Sequence, residues 1–138
     1  MKIEKAVILI RLMVGLIFLS EGIQKFLFPD TLGAGRFLSI GIPYPQIMGP
    51  FVGGVEIVCG TLLIIGLLTR LAAIPLLCVI LTAIVTTKIP QLTAKGFWPM
   101  AHDGRADWSM LMGLLFLLIS GSGRFSIDEK LYGPRPIR

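Results

Sequence analysis

The sequence predicts an all-α fold, an integral membrane bundle of four helices, and three observations carry that reading. The 138 residues are 54% hydrophobic and only 15% charged, whereas a soluble domain averages about 25% charged residues. Four stretches are apolar without the alternation of half-buried strands. Each approaches the roughly 20 helical residues that cross a bilayer core of about 30 Å. The length is that of one domain. The same hydrophobicity excludes intrinsic disorder and a nucleic-acid-binding module despite the net charge of +5, and two cysteines cannot make a disulfide framework.

The first helix, 6–28, carries Arg11, Glu21, Gln24 and Lys25. A long Pro- and Gly-containing loop, 29–50, follows, with room for a short helix over 34–40. The second helix, 51–68, has Glu56 as its one charge, and Thr69–Arg70 forms a minimal hairpin to the third, 71–88. Pro75 then falls in a first turn, where a missing N–H does little damage. A second long loop, 88–105, holds Trp98, and Trp108 follows it; both suit a membrane interface. The fourth helix, 106–121, opens with Asp107 and needs flanking residues to span. Gly121-Ser122-Gly123 ends it, and a polar tail, 122–138, completes the chain.

Four crossings place Lys2, Lys5, Arg70, Arg124, Lys130, Arg135 and Arg138 on one side, with Arg11 nearby, against Lys25, Arg36, Lys88, Lys95 and Arg105 on the other. The excess predicts both termini in the cytoplasm, both long loops outside, and residence in the cell (inner) membrane. A cleaved signal peptide does not fit the first helix, whose apolar region is too long and contains Glu21 and Lys25.

Ionisable side chains within hydrocarbon cost about 2.5–3.5 kcal/mol each on insertion scales and usually face a bundle interior or a wet cavity. Arg11, Gly15, Phe18, Glu21, Gly22 and Lys25 share one helical face. Gly53, Glu56 and Gly60 share another, and glycines on both faces permit close packing. Counted from the helix ends, Glu21 and Glu56 lie at depths that agree within about 3 Å. Lys25, Lys88 and Asp107 belong to the same end, with His102 and Asp103 in the loop above. A shallow polar pocket opening outward is expected there.

Two uses of these charges stay open. Glu21–Lys25 is a possible i,i+4 pair, and Glu56 can bond Lys25 or Lys88 simply to hold the bundle together. A buried carboxyl can instead take up and release a proton. Arg11, in the inner half, is expected to snorkel to the interface. Cys59 and Cys78 reach similar depths, where thiols in apolar surroundings are usually inert. His102 with Asp103 and Asp107 reads as a solvated loop rather than a metal site, and motifs for haem, zinc or NAD are not found in the sequence.

The run Arg11-x3-Gly15-x2-Phe18-x3-Gly22-x2-Lys25 resembles the opening motif of the DoxX family of small four-helix membrane proteins. Glu56-x3-Gly60-x5-Gly66, followed by Thr69-Arg70 and Ala72-Ala73, is similar to its most recognisable stretch. Asp107 stands where that family has an acidic residue at the start of its last helix, and Gly121-x-Gly123-Arg124-x-Ser126-x-Asp128 resembles its ending. The resemblance implies a quinone-linked redox role. A quinone or quinol would enter between helices, with Glu56 and Glu21 as the proton-exchanging pair. Lys25, Gln24, Arg11 and Asp107 would bind the head group. Electrons would come from a soluble or membrane redox partner, and a homo-oligomer is compatible with so small a bundle. Two other functions remain open: a non-catalytic anchor or assembly subunit of a redox complex, and a small exporter or permease.

Overall fold

In lipid, backbone N–H and C=O groups must find partners within the chain, which leaves helix as the solution for an open run of apolar residues. The computed structural model describes residues 3–123 and 126–132, and helix is their only regular structure. In order these are α1 (Ile3–Leu27), α2 (Ala34–Ser39), α3 (Pro45–Ile65) and α4 (Thr69–Ala83). A π-helical segment (Ile84–Lys88) then leads into α5 (Ile89–Lys95), α6 (Phe97–Asp103), α7 (Arg105–Ser120) and α8 (Ile127–Tyr132). The part of the expected tail over 133–138, together with Arg124 and residues 1–2, lies outside the described residues.

Among the described residues three stretches are long and apolar enough to cross a membrane: Lys5–Leu27, Pro45–Ile65 and Thr69–Lys95. The expected fourth, α7, is 16 residues, about 24 Å, and is shorter than a bilayer core. It completes the bundle by packing on α4 and α1. Only 22–33% of the most apolar window of each span is buried within the fold. Leu9, Leu16, Val58, Leu71, Ile74 and Ile119 point outward. This is the surface a lipid solvent selects, with large apolar side chains both inside and out. The interior is closed by Val7, Val14, Leu63, Ala73, Leu76, Leu114 and Leu117.

Several boundaries differ from those expected. The second helix begins at Pro45, at its N1 position, and so absorbs Gly49 and Pro50 from the expected loop. It ends at Gly66 (φ 74°), where the Gly66 and Leu67 N–H groups both donate to the Leu62 carbonyl. Thr69 and Arg70 are helical rather than a hairpin, and Pro75 therefore lies inside α4 rather than in its first turn. The Arg70 guanidinium donates to the Ile119 carbonyl at 3.0 Å and ties the start of α4 to the end of α7. The expected loop over 88–105 is mostly helix, α5 and α6, turned at Gly96. The short helix expected over 34–40 is α2.

The π segment has a local cause. Pro90 lacks an N–H and its ring clashes with the carbonyl four residues back, at Thr86. The Thr82, Thr86 and Thr87 hydroxyls donate back to the carbonyls of Cys78, Thr82 and Ala83. Back-bonding of this kind bends and loosens a helix, and here one turn widens to i→i+5.

α1 and α3 form the closest helix pair, and small residues make that possible. A Cβ on Gly22 would lie 2.7 Å from the Gly53 carbonyl oxygen, and one on Gly60 would lie 2.9 Å from that of Gly15. The two backbones therefore touch at two levels, as the shared faces in the sequence predict. Gly60→Ala must push the helices apart and should cost about 1–3 kcal/mol of stability. Gly54, also on α3, has open space where a Cβ would go, so Gly54→Ala should leave stability unchanged or raise it by about 0.5–1 kcal/mol. Thermal unfolding in detergent distinguishes the two; equal losses would contradict the close approach.

Candidate functional site

The contact between α1 and α3 decides which charges meet. With Gly22 against Gly53, a Cβ on Gly53 would sit 3.3 Å from the Lys25 Cβ, so Lys25 lies beside the first turns of α3. Its Nζ reaches the Glu56 Oε1 at 2.7 Å, and the two side chains are 13% and 4% exposed. Lys25 thus pairs across the interface and not with Glu21 one turn back. The physical reason is cost: a buried carboxylate without a cation is far more expensive than an exposed one. Glu21 is exposed on α1 and still close enough for electrostatic repulsion with Glu56.

A second ion pair lies on the other helices. Lys88 Nζ is 3.2 Å from Asp107 Oδ2 and 3.1 Å from the Thr87 hydroxyl oxygen. The π segment sets this up. In an uninterrupted α-helix Lys88, eight residues past Ile80, would lie about 80° from the buried face that Ile80 occupies. The extra residue taken up by the i→i+5 turn returns Lys88 to that face.

Both pairs line one cavity of about 560 Å³, within the range of small-molecule sites. Its walls are mostly apolar, including Phe18, Phe51, Val55, Val79 and Met110, and Glu21 and Arg36 also face it. Beyond the contact with each other, Lys25 keeps N–H groups and Glu56 keeps lone pairs, and both residues line this space.

Four of the six expected site residues, Glu56, Glu21, Lys25 and Asp107, line this cavity. Gln24 does not: it donates to the Ser20 hydroxyl on its own helix at 2.9 Å. Arg11 is at the opposite end, fully buried. Its guanidinium packs against Gly66 and Ser126, so it does not snorkel. The reason is geometric: fourteen residues separate it from Lys25, about 21 Å of helix.

Cys59 is buried and Cys78 is exposed, and both are free thiols; the thiol on Cys78 borders the cavity. Among the described residues no group of three or more His, Cys, Asp or Glu side chains could hold a metal ion. At the far end of the third span, the Gln91 amide donates to Asp103 at 2.5 Å and, with nearby His102, Lys88 and Lys95, holds that carboxyl below its usual range. Lys88 and Arg36 are the charged cavity residues that the expected site set lacks. The threonines before Lys88 and Pro90 after it were the available signal for the first; α2 carries the second in from a loop.

The DoxX family model matches residues 6–89. The uncharacterised membrane protein Rv3486 of Mycobacterium tuberculosis is 58% identical over 132 residues, covering 91% of this chain and 81% of the relative. A Haemophilus influenzae protein of undescribed function is 34% identical, with 89% and 88% of the two chains covered. A Bacillus subtilis protein named "Putative oxidoreductase CatD" is 27% identical, with 94% and 89% covered. No solved structure matches the chain.

The Lys25–Glu56 geometry sets a stability expectation. Lys25→Met strands a buried carboxylate and should cost about 3–5 kcal/mol, whereas Lys25→Met/Glu56→Gln should recover most of that loss. Unfolding of the three proteins in one detergent measures it, and additive losses would mean that the two side chains do not interact.

Proposed function

This chain belongs to the DoxX family, and from that premise we propose that it is a cell-membrane protein that binds a quinone or quinol within a redox system. The observation that carries the proposal is the cavity, which combines mostly apolar walls with two partly buried lysine–carboxylate pairs. A quinone is an apolar ring with a few oxygens at its rim, and such a site complements that distribution. Lys25 retains N–H groups beyond the one given to Glu56, enough to donate to a ring oxygen. Glu56, beside it, is the group placed to give a proton to a reduced ring oxygen or take one from a quinol hydroxyl. Reduction of a quinone consumes two electrons and two protons; the electrons are assigned to a separate redox protein. The name of the Bacillus subtilis relative favours a redox role of this kind.

The proposal includes an orientation. The lysine and arginine distribution supports both termini in the cytoplasm and the cavity end outward, with α7 as the fourth crossing. A second reading has its own support: the two ion pairs join α1 to α3 and the π segment to α7, as in a membrane anchor held together by its charges. Binding separates the two. In nanodiscs the protein should bind decylubiquinone saturably, and Glu56→Gln should weaken that binding at least about tenfold, or about 1.4 kcal/mol, while the fold persists. Absence of saturable binding to the unaltered protein would favour the anchor.

A further inference from the structure

Lys88 and Asp107 have no part in the head-group contact just described, yet they face the same space. We propose that they form a second oxygen-binding station, so that the cavity selects ligands carrying two ring oxygens over ligands carrying one. This rests on the quinone reading and makes it more specific: the ligand is held at both of its ring oxygens and not at one alone.

The argument starts from placement. The cavity is bordered by two ion pairs on different helices, Lys25–Glu56 from α1 and α3 and Lys88–Asp107 from the π segment and α7. The second is not an accident of helix phase, because an unbroken α-helix would turn Lys88 away from the Ile80 face. π turns are rare overall and frequent at functional sites.

The chemistry of the two stations is alike. Each has an ammonium, which can donate to a carbonyl oxygen, and a carboxylate, which can accept from a hydroxyl. Lys88 engages Asp107 and the Thr87 hydroxyl, which leaves a third N–H for a ligand. A ring with a carbonyl at one end satisfies a single station. A ring with oxygens at both ends satisfies both, in either the quinone or the quinol form. A polar station left facing a ligand C–H loses a partner, and sites built to bond an oxygen discriminate strongly against analogues that lack it. Methyl groups at both ring positions beside the carbonyls keep a probe from alkylating Cys78, which also borders the cavity.

The test uses the full chain in nanodiscs and two probes, 2,3-dimethyl-1,4-naphthoquinone and the corresponding tetralone with a single carbonyl, titrated by calorimetry. The expected result is tighter binding of the diketone by at least about tenfold. Lys88→Met/Asp107→Asn should abolish that preference by weakening the diketone alone, with folding followed by thermal unfolding. Equal affinity of the unaltered protein for the two probes overturns the inference even if the double variant does not fold. A double variant that folds and keeps the preference overturns it as well. Binding of the diketone without preference leaves the quinone reading standing and removes only the second station; binding of neither probe removes both.

Discussion

A carboxylate buried at a helix interface needs a cation within bonding distance, and the rest of this structure is arranged around meeting that need for Glu56. Lys25 can meet it in one register of α1 against α3, the one in which Gly22 faces Gly53 and Gly15 faces Gly60. Sliding either helix by one residue would turn its glycines out of the contact and separate the charges. Packing and electrostatics therefore select the same alignment, which fixes the depth at which the polar site lies. The pair is a locating device as much as a source of stability, since buried ion pairs contribute little net free energy against an apolar alternative.

The two ends of the bundle are built on opposite principles. At the end formed by Gly66 and α8, polar groups are packed tightly: Arg11, Thr69 and Ser126 are buried, Arg11 and Ser126 lie against Gly66, and Arg70 reaches the Ile119 carbonyl of α7. Space there is so limited that a side chain on Gly66 would collide with both Arg11 and Ser126. At the other end α2 and the π segment hold the helices around an open volume instead of filling it. The intramembrane charges are divided between the two ends, with Arg11 at the tightly packed one and Lys25, Glu56, Lys88 and Asp107 at the cavity.

The helices, the α1–α3 face and the common depth of Glu21 and Glu56 were legible in the sequence because each depends on the 3.6-residue period and on the cost of charge in lipid. The partner of Lys25 was not. A local i,i+4 pair with Glu21 and a long-range pair with Glu56 are equally compatible with the spacing, and only the difference in burial decides between them. Gln24 and Arg11 show the same limit: chain proximity placed Gln24 near the site, but Ser20 takes its amide, while a polar shell at the far end holds Arg11. Helix starts differ where proline suggests a loop, as at Pro50, or a first helical turn, as at Pro75; both lie within helices, as lipid-embedded helices allow. Lys88 ends its helix by composition alone, and the widening that aims it inward has no signature in hydrophobic periodicity.

The central claim is that the cavity between the two ion pairs is where a quinone ring rests. The most direct measurement is photolabelling of the protein in nanodiscs with an azidoquinone, with the modified residues mapped by mass spectrometry. The account predicts labels concentrated on cavity walls such as Phe51, Val55, Val79 and Met110, and competed away by an excess of unmodified quinone. Labels spread over lipid-facing positions such as Leu9, Ile74 and Ile119, insensitive to competition, would contradict it.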